Sequence, residues 1–491
     1  MSRTLLQDPG LWKEAALIGG QWRTATPHGH SPLINPADGA VLAQLPRCQE
    51  AETTEAINAA QAAWGPWRRT PARQRAALLQ RWHELITAHR EDLATLITLE
   101  EGKPLAEARA EVDYANGFVR WFAEEAQRVR GDLIPAGQDS QRLLALRRPV
   151  GVCAAITPWN FPAAMVTRKA APALAAGCTV VVKPASQTPL TALALGELAH
   201  RAGLPAGVYN VLTGADTGRI GGVLTRHPAV RKLTFTGSTE VGRLLLRQSA
   251  DTVKKCSMEL GGNAALIVLD DADPDRAVEG ILHAKFRNTG QSCIAANRVL
   301  VQAPLHDTLA RRLAERCRAL RVGPGLEPGV QIGPLIDDAA VQRLEALLAE
   351  AVAGGATVLA GGRRHALGGR FFEPTVVAGV RPDMQLAREE VFGPVLPLLR
   401  FEQDDEAIAL ANDTEFGLAA YLFSRDAARI WRTAEALETG MVGVNTGLIS
   451  NEVAPFGGVK QSGLGREGSH LGMAEYLETQ YVCWDGLAPA A

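Results

Sequence analysis

The stretch VGVCAAITPWNFPAAMVTRKAAPALAAGCTVVVKPAS (150–186) decides the fold. It opens on a short, continuously apolar run (VGVCAAIT), passes through a helical stretch (PAAMVTRKAAPALAAG) and returns to a second apolar run (CTVVVKP). A strand that is apolar on both sides is covered on both faces, which is the habit of parallel sheets. The alternation continues downstream, where the runs VYNVL and KLTFTG are flanked by the helical stretches PLTALALGELAHRAG and STEVGRLLLRQSA. Strand–helix alternation of this kind builds a parallel sheet from βα units.

Upstream, residues 52–129 read mostly as helices, with apolar residues at three- and four-residue spacing. Beyond Gly261-Gly262 a second α/β series begins with ALIVLD, a helix over 274–289, the strand NRVLVQ and helices over 304–320 and 337–353. It continues through VFGPVLPLLR, LAAYLFS and MVGVN, with YLETQYVCW as a last strand. The 491 residues suggest three domains, at about 150 residues per domain. Lys+Arg 51 against Asp+Glu 53 leaves a net charge of −2, so the composition carries no footprint for nucleic acid or an anionic membrane. The longest apolar stretch, 170–182, contains Pro172 and Gly177 and falls short of the ~18–20 residues of a membrane span. The N-terminus has no signal-peptide core. Seven scattered Cys, an odd count, form neither a disulfide framework nor a metal-binding pair. A cytoplasmic setting is expected, with no metal, nucleic-acid or membrane partner.

Gly463-Leu464-Gly465-Arg466-Glu467-Gly468 matches G-x-G-x-x-G, yet no strand precedes it and too little chain follows for a βαβ unit. KLTFTGSTEVG is the better phosphate candidate: a strand, then Gly237, then Ser238 opening a helix whose N–H groups favour an anion. On spacing alone it reads equally as an ordinary capped helix. Cys293 stands apart from the other cysteines because it ends FRNTGQSC, among small polar residues just after Gly290. A thiol nucleophile needs access and help in forming thiolate, since its free pKa is about 8.5.

The partners of Cys293 give it a role. MELGGN (258–263), GQSC (290–293), TPWNFP (157–162), VVKPAS (181–186), FTGSTEVG (235–242), EEVFGPV (389–395) and PFGG (455–458) occur together. In these motifs and their order the chain resembles the aldehyde dehydrogenase superfamily, nearly end to end. The resemblance implies an α/β fold with a Rossmann-like cofactor domain, an α/β catalytic domain and a small β oligomerisation element. They are assigned to 1–128 with 149–260, to 261–462, and to 129–148 with 463–491. It also implies an NAD or NADP cofactor and a homodimer or homotetramer.

The resemblance assigns roles residue by residue. Cys293 attacks the aldehyde carbon, and the Asn160 amide with the Cys293 N–H stabilises the oxyanion; one such donor is worth ~10²–10³ in rate. Loss of hydride to nicotinamide leaves a thioester, which Glu259 hydrolyses by activating water, a task that needs a carboxylate of raised pKa. Lys169 and Glu467 match a proton path from that base, or else form a structural ion pair. Thr157, Pro158, Trp159, Lys183, Ser186, Gly237, Ser238 and Leu260 fall on the cofactor side, and Glu390 and Phe392 match nicotinamide-ribose contacts. Ser186 stands where many NAD-using relatives have Glu. With no carboxylate there to repel a 2′-phosphate, NADP is expected to be accepted and preferred.

Arg168, Arg287 and Ser450 match the carboxylate-binding set of succinate-semialdehyde dehydrogenases, with Phe456 beside them. A lone Arg reads as a surface or ion-paired residue, but two guanidinium forks and a hydroxyl suit a distal carboxylate. The expected reaction is therefore succinate semialdehyde to succinate. Glutarate semialdehyde is the nearest alternative, because one methylene is worth only ~1–3 kcal/mol. A cysteine esterase, the reading from another class, pairs Cys with His, and the nearest, His283, lies on a helix with nothing to mark it as a base. Intact Glu259 favours water over CoA as acyl acceptor, and the presence of Cys293, Glu259 and Asn160 together argues against an inactive relative. Ala295 occupies the place of a second Cys in some relatives, so no disulfide switch is expected there.

Overall fold

The computed structural model describes residues 2–487. Five parallel strands, Tyr209–Val211, Thr179–Lys183, Val152–Ile156, Val230–Thr236 and Lys255–Glu259, lie side by side in that spatial order. Numbered along the chain this is 3-2-1-4-5, the Rossmann-like order. Such a sheet binds ligands beyond the carboxyl ends of its strands, at the crevice where the order reverses. Here that crevice lies past Ile156 and Thr236. Every residue of Thr179–Lys183 is buried, as its apolar run requires.

Two short antiparallel strands, Ala16–Ile18 and Gln21–Arg23, extend one edge of this sheet. The opposite edge is closed by Gly463–Leu464, which returns from the far end of the chain and pairs Gly463 with Glu259 and Leu464 with Met258. The G-x-G-x-x-G match thus starts on a sheet edge, in the cofactor sheet rather than with the last strand.

The second sheet has seven strands in the order Thr357–Ala360, Thr375–Ala378, Val395–Phe401, Arg298–Gln302, Ala265–Val268, Ala419–Phe423 and Met441–Val444. All its pairings are parallel except the first. A third, three-stranded antiparallel sheet joins Asp132–Ile134, Arg142–Pro149 and Leu477–Trp484. Leu477–Trp484 has a neighbour on one side only, and Leu133, Tyr481 and Trp484 are exposed. Among the described residues, no helix is long and apolar enough to cross a membrane, and no group of His, Cys, Asp or Glu is arranged to hold a metal ion.

Two helices position the chemistry. Ala164–Ala176 is buried along its whole length, Arg168 and Lys169 included, and ends at Gly177 with φ +96°. The helix expected over 274–289 stops at Phe286. Asn288 (φ 52°) and Thr289 (φ 56°) take left-handed backbone that an α-helix excludes. The chain turns there and delivers Cys293 to the crevice.

Candidate active site

The loop after Val152–Ile156, the Gly237-Ser238 turn, the end of Lys255–Glu259 and the 287–293 turn converge on one cleft of about 260 Å³. Its walls include Trp159, Asn160, Gly237, Ser238, Leu260, Cys293, Glu390 and Phe392, with Pro158 at the rim. The turn carrying Cys293 is held from outside, since the Thr289 hydroxyl accepts the Gly333 N–H at 3.0 Å. Asn160 Nδ2 donates one hydrogen to the Gln291 carbonyl at 3.0 Å. An amide nitrogen has a second hydrogen, and Asn160 shares the cleft with Cys293.

Desolvation in the cleft, then the charge of Glu390, pushes the Cys293 thiol up to about 12, while Arg168 works in the opposite direction. Glu259 is 3% exposed, and neither carboxyl oxygen has a hydrogen-bond partner among the described residues. Burial, and next Glu467, raise its pKa well above the ordinary carboxyl value. Glu467 shows the reverse. Burial alone would raise it, but ion pairs to Arg168 and Lys169 hold it below the usual value. Lys169 also donates to Thr236 Oγ1 at 2.6 Å. The two expected members of the proton path are therefore in direct contact, next to Glu259.

Arg168 lies 4.0 Å over the Phe456 ring, and Phe456 and Glu467 exchange two main-chain hydrogen bonds of 2.8 Å. The guanidinium is shared with Glu467, and its Nη2 is buried without a hydrogen-bond partner. Arg287 and Ser450 line a separate cavity of about 500 Å³ together with Tyr114, Glu107, Phe286 and Leu448. Arg287 sits 5.0 Å over the Phe161 ring. No ion pair or hydrogen bond of its guanidinium is found among the described residues.

The cleft fits a dinucleotide. Ser238 caps the eleven-residue helix Thr239–Ser249 by accepting the Val241 N–H, which leaves a helix N-terminus at the switch point, where a phosphate is favoured. Phe392, at φ 50°, meets Trp159 edge-on at 5.6 Å and walls the site. Glu390 accepts the Gly262 N–H at 3.2 Å, and desolvation pushes its carboxyl up to about 7. Lys183, at the end of its strand, is lowered to about 8 by burial and donates to the carbonyl of Pro184. The Thr157 N–H donates to the Lys183 carbonyl at 3.1 Å. The Ser186 hydroxyl is half-exposed against Gln187. These last three residues lie outside the lining of the Cys293 cleft, next to it along the same sheet end.

Sequence reading missed Tyr114, whose phenol lies beside Arg168, Arg287 and Ser450. It also missed Glu107, which accepts the Asn288 N–H at 2.6 Å. Their one signal was charged and phenolic residues inside an apolar helical period. His283 lines the Arg287 cavity, and no histidine lines the Cys293 cleft among the described residues.

Comparison with known proteins agrees with this geometry. The profile described as "Aldehyde dehydrogenase family" matches residues 22–482. The chain is 57% identical over 482 residues to 3-sulfolactaldehyde dehydrogenase of Pseudomonas putida, covering 98% of this chain and 99% of that one. It is 55% identical to succinate-semialdehyde dehydrogenase [NADP(+)] of Escherichia coli K12, covering 97% and 99%. A crystal structure of an E. coli NADP-dependent enzyme superposes with a TM-score of 0.97 at 55% identity, covering 98% of this chain and 100% of that one.

Proposed function

The chain belongs to the aldehyde dehydrogenase family, and from that premise we propose that it oxidises a short aldehyde carrying a distal anion, succinate semialdehyde first, with NADP accepted and preferred over NAD. The observation that supports this substrate class is the Arg287 guanidinium, without an ion partner in a cavity shared with Ser450 and Tyr114. Glu107 lines the same cavity and its charge reaches Arg287; the donor set of Arg287, Tyr114 and Ser450 beside it suits the anionic end of a substrate.

The Cys293 thiol loses its proton to water, its sulfur attacks the aldehyde carbon, and the developing oxyanion accepts a hydrogen bond from the free N–H of the Asn160 amide. Trp159, Glu390 and Phe392 would hold the nicotinamide, which would supply the acceptor for the hydride that the thiohemiacetal loses. Glu259 then takes a proton from water as the water oxygen attacks the thioester, releasing the acid and restoring Cys293. Glu467, held ionised by Arg168 and Lys169, offers a route for that proton out of the interior. Ser186 in place of a carboxylate supports NADP, and the E. coli relative is named for that cofactor. A homodimer or homotetramer built on the three-stranded sheet completes the proposal.

The carboxylate, methylene and sulfonate variables separate in one series. We expect kcat/KM for succinate semialdehyde to exceed that for butanal by about 10²-fold, as loss of a charge-assisted contact implies. Glutarate semialdehyde and 3-sulfolactaldehyde should fall between the two, and Arg287→Ala should narrow the gap by raising KM; a higher kcat/KM for either would make that aldehyde the substrate. Equal efficiency on butanal would exclude the distal-anion reading. A strong preference for NAD would exclude the cofactor reading.

A further inference from the structure

We propose that Lys103, seated against Glu111, is a positioning residue for the oxyanion site and acts through Asn160. This rests on the aldehyde-oxidation reading above. Neither residue lines the cleft that holds Cys293. Lys103 follows Gly102, whose φ of +92° ends the helix Arg90–Glu101 and turns the chain inward. Its side chain is 1% exposed, and its ammonium pairs with Glu111 on the helix Leu105–Glu125. The same ammonium donates to the main-chain carbonyl of Asn160 at 2.8 Å. Asn288 Nδ2, from the turn that carries Cys293, donates to that carbonyl at the same distance.

Glu111 works on the other end of the segment. Its Oε1 accepts the N–H groups of Ala163 at 2.9 Å and Ala164 at 3.3 Å, at the start of the helix that carries Arg168 and Lys169. One buried pair therefore fixes residues 160–164 at both ends. A buried ion pair contributes little net stability over an apolar replacement of the same volume, so the value of this pair lies in what its remaining hydrogen bonds hold. They hold the backbone under Asn160. The Gln291 carbonyl is an acceptor and so fixes which way the amide faces. With backbone and amide both set, the second amide hydrogen is left to serve the cleft that Asn160 lines. An oxyanion donor is effective only when it is set before charge develops.

The test is the double variant Lys103→Met/Glu111→Gln, which removes both charges and nearly conserves volume. We expect kcat for succinate semialdehyde to fall roughly 10–100-fold, the scale of a misplacement near 1 Å. KM, and the Kd for NADP from fluorescence titration, should stay within about two-fold of the unaltered enzyme, because those contacts are made elsewhere. In an Asn160→Ala background the same pair should cost less than about two-fold, since no amide is left to aim. An equal penalty in both backgrounds overturns the proposal, as does a Kd that weakens in step with kcat.

If the double variant does not fold, K103R runs the same cycle, keeping the charge against Glu111 while shifting the donor. A fall in kcat confined to the Asn160-containing background supports the proposal, and unchanged kcat in both overturns it. An unaltered enzyme that yields no reduced cofactor with any aldehyde removes the underlying reading instead. Failure of the positioning role alone leaves that enzyme active.

Discussion

Glu259 and Glu467 are both buried carboxyls, yet they are pushed in opposite directions: Glu259 up, by burial and by Glu467 itself, and Glu467 down, by Arg168 and Lys169. Such a divided pair separates an acid–base group from a neighbour that rests ionised and takes a proton only in passing. Because Glu259 must lose its proton to act, its raised pKa makes turnover climb with pH from an acidic limb well above the usual carboxyl range. Glu259→Gln should abolish that limb and cut steady-state turnover by about 10²-fold or more, while a stoichiometric burst of reduced cofactor survives in stopped flow. A vanished burst would move the role of Glu259 ahead of thioester formation. Cys293 gives a second check. With its thiol near 12, alkylation by iodoacetamide should keep accelerating as pH rises through the alkaline range. Arg168→Met, which removes the nearby positive charge, should slow alkylation at any fixed pH; an unchanged rate would mean that Arg168 does not act on the thiol.

The elements that carry the chemistry end where backbone geometry forces them to. Gly463 has φ +134°, and a Cβ there would overlap the Met258 carbonyl. Gly463→Ala should therefore cost about 1–3 kcal/mol in backbone strain alone. We expect a lower melting temperature by circular dichroism together with lost activity, because its register partner is Glu259; wild-type values for both would show that this edge is dispensable. The apolar runs at 152–156 and 179–183 were legible because double-sided burial leaves a continuous hydrophobic signature. Ala16–Ile18 and Gln21–Arg23, three residues each, are too short to show any period. The early end of Pro274–Phe286 was hidden for another reason. Asn288 and Thr289 are left-handed through hydrogen bonds to Asn160, Glu107 and Gly333, partners far away in sequence. Motif residues such as Cys293 were legible from their neighbours along the chain. Tyr114, Lys103 and Glu111 were not, since their roles come from helices that meet only in the folded molecule.

For the molecule as a whole, the three-stranded sheet presents an unpaired edge and exposed Leu133, Tyr481 and Trp484. Exposed apolar side chains beside an open strand edge invite association. Val482→Pro, which removes a main-chain donor from the strand Leu477–Trp484, should shift the mass seen by light scattering toward the monomer; an unchanged mass would place the interface elsewhere. The strands of the three larger sheets interleave along the chain. Gly463–Leu464 closes the edge of a sheet whose other strands were complete by Glu259. During synthesis, the first sheet must therefore wait, with one rim open and Glu259 unflanked, while two hundred further residues are made. Glu259 reaches its working environment only once those residues, and the closing strand with them, have been made.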